Sequence, residues 1–160
     1  ERFVQAFSAL AASHTDLTLL TTGNPDARWL AALESVPDAT KDRVRFAGKL
    51  SDSDLRLAYA AADSVVYPSL CEGFGRVCLE AMEAGTPLAC SDLPVMREVA
   101  SDYACWFDPY DVKAIADAIE KTLAQSRRAC VRDARFQSAA VQGAFLESVD
   151  GVLDSLGGVE

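Results

Sequence analysis

Short apolar runs alternate with helical patterns along most of the chain. Residues 1–13 place Phe3, Val4 and Phe7 at amphipathic helical spacing. Residues 17–22 read as a buried strand, stopped by Gly23-Asn24-Pro25. Asp26 then caps a helix carrying Trp29, Leu30 and Leu33. Residues 43–47 form a short strand ending at Gly48, and Ser51-Asp52-Ser53-Asp54 starts a helix with Leu55, Leu57 and Tyr59 inside it. The next strand is 63–67, followed by a helix over 76–84 that Gly85 stops. Residues 87–90 are a further strand, Leu93-Pro94 opens a short helix through Val99, and 104–107 is the last strand. Asp108-Pro109-Tyr110-Asp111 leads into a helix from Val112 to about Gln125. In the tail, Val141, Phe145, Val149, Val152 and Leu156 keep helical spacing, while Gly143 and Gly151 weaken that helix by roughly 1 kcal/mol each relative to Ala.

Strands alternating with helices predict an α/β protein with a Rossmann-like, doubly wound parallel sheet. In such sheets ligands bind at the carboxyl ends of the strands, and the turn after Pro68-Ser69 lies at one of those ends. A chain of 160 residues fits one domain, 1–160. No apolar run approaches the roughly 20 residues that span a bilayer. Residue 1 is Glu rather than Met, inside a helical pattern, so the chain reads as a piece of something longer.

The net charge of −9 argues against a nucleic-acid partner, which calls for a basic face. An anionic nucleotide is compatible with this charge, because backbone amides supply local positive potential. Five scattered cysteines without a C-x-x-C pair (Cys71, Cys78, Cys90, Cys105 and Cys130) read as reduced thiols, hence a cytoplasmic protein in which they pack in the core or near the surface. Cys71 and Cys78 flank the segment richest in candidate chemistry.

That segment runs from Ser69 to Met82. Glu72 and Glu80 stand eight positions apart around Gly73-Phe74-Gly75, which opens the 76–84 helix. Gly73 and Gly75 permit positive φ and close approach of the backbone to a ligand. The amides around Phe74, Gly75, Arg76 and Val77 become the orphan donors of a helix N-terminus, suited to a diphosphate. Glu80 lies one turn further in, roughly 6 Å along the axis, which matches the step to a ribose. Its carboxylate can accept from two vicinal hydroxyls. Glu72 sits on the other flank, where a sugar would lie. The plainer reading is an ordinary βα loop whose acids favour the helix dipole, with Arg76 and Glu80 as a surface pair.

Other motifs carry less. Asp52-Ser53-Asp54 is literally a D-x-D, but it sits at a helix start with Ser51 or Asp52 as N-cap. His14 is the only histidine and falls in a polar turn, which leaves no histidine cluster for a metal. Trp29 and Trp106 read as core. A nicotinamide-binding fingerprint would follow the first strand, whereas these glycines follow a late one.

Pro68-Ser69, Glu72-Gly73-Phe74-Gly75, Leu79-Glu80-Ala81-Met82 and Gly85-Thr86-Pro87-Leu88 resemble the signature block of the retaining nucleotide-sugar glycosyltransferases of the two-Rossmann-domain (GT-B) kind, in the E-x7-E branch (glycosyltransferase family 4, group 1). Ser91-Asp92, Arg97-Glu98-Val99 and Phe107-Asp108-Pro109 extend the likeness, as do Gly23 and Phe46-Ala47-Gly48. The resemblance implies the C-terminal, donor-binding half of such an enzyme. Its partners would be a nucleotide diphosphate sugar and a separate N-terminal acceptor-binding domain, with no bound metal or other cofactor. Glu72 would act catalytically on the donor sugar. Phe74, Gly75, Arg76 and Val77 would contact sugar or diphosphate, Glu80 the ribose, and Gly48, Lys49 and Leu50 the base. The full-length parent would transfer a hexose, mannose or glucose, with retention, while this piece alone would be inactive. The alternative is a stand-alone nucleotide-sugar-binding or regulatory module.

Departures accompany the likeness. The family's first strand of this domain and the Arg/Lys pair after it are absent, and Arg76 replaces a residue that is often apolar there. The missing strand would be central, so either a neighbouring strand takes its place or the molecule begins further upstream. Membrane association of the parent stays open.

Overall fold

A computed structural model describes residues 1–129. The helical tail expected over 132–156, and Cys130, lie outside the described residues.

The elements follow the predicted order. They are α1 (Arg2–Ser13), β1 (Leu19–Thr21), α2 (Ala27–Glu34), α3 (Asp38–Lys41), β2 (Val44–Phe46), α4 (Asp52–Ala61), β3 (Val65–Tyr67), α5 (Arg76–Ala84), β4 (Leu88–Ser91), α6 (Pro94–Ala100), β5 (Ala104–Phe107) and α7 (Val112–Leu123), with a 3₁₀ turn at Ser101–Tyr103. Helix starts are where local chemistry places them. The Asp26 carboxylate accepts from the Trp29 amide at 2.8 Å, and Ser51 Oγ from the Asp54 amide at 3.2 Å. Asp111 accepts from the amides of Lys113 and Ala114. The D-x-D acids therefore belong to the first turn of α4, whose N-cap is Ser51.

Among the described residues every strand ladder is parallel, and one isolated antiparallel bridge joins Gly23 to Gly48. β1 pairs with β2, with Leu19 opposite Val44. β4 lies between β3 and β5, with Leu88 opposite both Val65 and Ala104. All four residues of β4 are buried, as a central parallel strand covered on both faces requires. The two ladders remain separate sheets. Among the described residues no strand lies between them, so no neighbouring strand takes the central place. Residues of β1 and β3 line the same cleft of about 1380 Å³.

Helix α1 contributes to the core on both sides of that cleft. Its Val4, Phe7 and Ala11 pack with Ala32, Leu33, Val36 and Val44. Its Ala6 and Leu10 pack with Ala89, Phe107, Ile115, Ala118 and Ile119. Each large apolar side chain so buried contributes on the order of 1.5–3 kcal/mol.

The chain after α7 returns to brace the far ends of α4 and α5. The Arg127 guanidinium donates to the carbonyls of Ala60, Ala62 (2.8 Å) and Ala84 (3.2 Å), and to Thr86 Oγ1 (3.1 Å). It thereby satisfies carbonyls that helix termini leave without partners. Gly85 ends α5 with φ 70°, where a Cβ would collide with the Arg128 carbonyl.

Candidate donor site at the mouth of helix α5

The carboxyl end of β3 delivers Tyr67, Pro68 and Ser69 to one side of a loop, and α5 begins on the other. Gly75 is the N-cap of α5, with φ 85° and ψ 44°. A Cβ there would meet Met96 Cγ at 3.6 Å and Cys78 Sγ at 3.7 Å, which is ordinary contact. The left-handed backbone, rather than crowding, is what favours glycine. Its N-cap is a glycine and so offers no side-chain cap, in contrast to the N-cap residues of α2, α4 and α7. Its first amides keep the partial positive charge of a helix terminus.

Gly73 differs from expectation. Its φ is not positive, and a Cβ on it would meet nothing within 4 Å. It opens space rather than turning the chain. Phe74 and Leu70 are exposed beside it.

Both acids are held by tyrosine hydroxyls. The Tyr67 hydroxyl donates to Glu72 Oε1, and Ser69 Oγ lies 3.0 Å from the same oxygen. Ser69 Oγ is also 3.1 Å from the Cys71 carbonyl, so its one proton serves one acceptor at a time. The Tyr59 hydroxyl, from α4, donates to Glu80 Oε2 at 2.8 Å. Arg76 donates to Glu80 Oε1 at 3.3 Å. Burial pushes both phenols above the ordinary tyrosine range, and the carboxylate each one serves adds to the push. Tyr59, Tyr67 and Val77 also line the large cleft.

Arg76 is 81 % exposed and paired with Glu80 at i,i+4. Gly48, Lys49 and Leu50 follow β2, in the two-stranded half. Gly48 has φ 66° and accepts from the Gly23 amide at 2.7 Å, joining the ends of β1 and β2. Lys49 is exposed. None of these three lines the cleft that Tyr67 and Val77 line.

Sequence reasoning missed the roles of Tyr59 and Tyr67. Tyr59 is 21 positions from its acid and on another helix, so no local spacing signals the contact. Trp106, expected in the core, is half-buried and carries the Arg97 guanidinium 5.0 Å from its ring centroid. Arg97 also pairs with Asp92, holding that carboxyl below its ordinary range. Trp29 is half-buried too, packed edge-on against Phe3 and Phe46. His14 is at the surface, 3.0 Å from Glu120. Cys78 and Cys90 are buried and Cys71 is exposed, within the core or near-surface packing expected of them.

Comparison with known proteins agrees with the parallel α/β fold. The family model for glycosyl transferases group 1 matches residues 1–137. The O-antigen chain mannosyltransferase B of Escherichia coli is 45% identical over 80 residues, covering 50% of this chain and 21% of that protein. The O-antigen chain mannosyltransferase RfbU of Salmonella typhimurium is 41% identical over 80 residues, covering 50% of this chain and 23% of its own length. The crystal structure of WaaG, a glycosyltransferase involved in lipopolysaccharide biosynthesis, superposes with a TM-score of 0.63 at 25% identity, over 78% of this chain and 34% of that one. The chain thus spans between about a fifth and a third of the length of these relatives. By its Rossmann-like α/β fold of the GT-B type and by the family match over most of its length, the chain belongs to the group 1 glycosyl transferases.

Proposed function

We propose that this chain binds the nucleotide diphosphate sugar of a retaining glycosyltransferase, with the pyrophosphate seated at the mouth of α5. One observation carries the reading: a helix start whose N-cap is a left-handed glycine, flanked by two carboxylates that tyrosines already orient. Amides of Gly75, Arg76 and Val77 face the pyrophosphate and stabilise charge as it leaves. Phe74 adds a main-chain contact. Glu80 accepts from the ribose hydroxyls, its two oxygens fixed by Tyr59 and Arg76. Glu72 faces the sugar; Tyr67 and Ser69 both address Oε1, which leaves Oε2 for the donor. Gly48, Lys49 and Leu50 approach the base from the end of β2.

In the transfer, the bond from the anomeric carbon to the diphosphate breaks and a bond to the acceptor oxygen forms on the same face. The acceptor proton leaves with the diphosphate or solvent. Interactions that strengthen as charge builds on the diphosphate raise the rate. Mannose is the proposed sugar, supported by the two mannosyltransferase relatives, and glucose is the second choice. No resident metal is proposed. The acceptor would be held by a partner domain outside this chain.

By itself the chain is proposed to bind donor and transfer little. Arg76, in the first turn of α5, is engaged by Glu80 and largely in water, a poor clamp for a leaving diphosphate. Calorimetry of the 160-residue chain with GDP, UDP and ADP tests the reading. Binding of one of these, weakened about tenfold or more by Glu80→Gln, is the expected result. Absence of binding to all three, or equal affinity in the variant, overturns it.

A further inference from the structure

Three sulfur atoms from three elements meet directly beneath Gly75. Cys78 lies in the first turn of α5, Cys90 in β4 and Met96 in α6, and all three are fully buried. Cys78 Sγ is 3.7 Å from Cys90 Sγ, and Cys90 Sγ is 2.9 Å from Met96 Sδ. Cys90 has one S–H and two sulfur acceptors. Cys105, in contrast, has an amide partner, with Gln125 Nε2 at 3.2 Å from its sulfur.

We propose that Cys78 and Cys90 are an oxidation site, at which a small peroxide closes an internal disulfide between α5 and β4. A disulfide needs sulfurs about 2.05 Å apart, so each sulfur travels only about 1 Å. Peroxide suits the site because it is small enough to reach a packed interior on transient opening of the 69–75 loop. The chemistry balances in two steps. The Cys78 thiolate attacks one peroxide oxygen and becomes a sulfenic acid, releasing hydroxide. Cys90 then attacks the Cys78 sulfur, the S–S bond forms, and the sulfenic oxygen leaves as water. Overall, two thiols lose two hydrogens and one hydrogen peroxide becomes two waters. The order of attack follows from the local field: the contact with Cys90 lowers the Cys78 thiol, and the same contact, with burial, raises Cys90.

Trypsin makes the test direct. No Lys or Arg lies between Arg76 and Arg97, so residues 77–97 form one peptide that contains both cysteines and Met96. The folded chain is treated with hydrogen peroxide, quenched, alkylated and digested. The expected product is peptide 77–97 lighter by two hydrogens, unalkylated at both cysteines and restored by dithiothreitol. The oxidised chain should also melt higher than the reduced one, because the bond closes the loop between positions 78 and 90. Cys90→Ala should instead carry Cys78 on to stable oxygen adducts. Alkylation of both cysteines after treatment overturns the proposal. So does oxygen on Met96 with both thiols intact, or a bond from either cysteine to Cys71. The wild-type peptide alone decides the matter if the variant does not fold, and no nucleotide is involved.

Discussion

The hydroxyl of Tyr59 on α4 meets Glu80 on α5 at 2.8 Å, so the acid proposed to grip the ribose is positioned by a neighbouring helix. Tyr59→Phe removes that hydrogen bond and little else. A net loss of about 1 kcal/mol is expected, which corresponds to roughly fivefold weaker binding of the preferred nucleoside diphosphate. Titration calorimetry on the variant checks it. Unchanged affinity would show that Glu80 needs no such support.

The phenols themselves set an alkaline limit. Both Tyr59 and Tyr67 ionise above the ordinary tyrosine value in the folded chain. The unfolded chain therefore loses these protons first as pH rises. Their contribution to stability is complete below the ordinary value and declines as pH climbs from it toward the folded ones. Thermal melts followed into the alkaline range should show Tm falling, and the fall should be shallower in Tyr59→Phe. Equal slopes in the two proteins would count against the assignment.

The two loop glycines should part company. Gly75→Ala forces a side chain into a left-handed backbone and should cost about 1–2 kcal/mol of stability, although the Cβ itself has room. Gly73→Ala should leave stability within about 0.5 kcal/mol, since its Cβ meets nothing. If a pyrophosphate comes close to the loop, Gly73→Ala will weaken nucleotide binding without moving Tm. Denaturant melts and calorimetry on both variants separate the effects.

Much of this architecture is legible in the order of residues because the signals are local. Asp26, Ser51 and Asp111 each cap the helix that follows, and the bounds of α5, Arg76 to Ala84, follow from Gly75 on one side and Gly85 on the other. The strands are shorter than their apolar runs suggest, since β1 is paired only over Leu19–Thr21. The one-turn helix α3 is not legible in the sequence, because four residues after Pro37 carry too little periodicity to register. At the site, the acids and the helix mouth are visible in the chain, but the hydroxyls that orient the acids are not. Tyr59 and Arg127 act across long stretches of sequence on backbone and carboxylate groups, and neither leaves a spacing to read.

Arg127 offers a test of that long-range bracing. Its guanidinium serves carbonyls at the ends of both α4 and α5. Arg127→Ala should lower stability by about 1–2 kcal/mol. Arg127→Lys should recover little, because one ammonium cannot reproduce a planar fork with several donors. Denaturant melts of the two variants check this, and full recovery by lysine would mean that charge alone mattered.

Helix α1 sends Val4, Phe7 and Ala11 into the core beside one sheet and Ala6 and Leu10 into the core beside the other. It therefore works as a mortise between planks that share no ladder. Thinning it with alanine at Phe7 and Leu10 together should open a cavity in each core and lower the midpoint of denaturant melts by more than either change alone. Engineers who trim or recombine this region would do well to leave that joint whole.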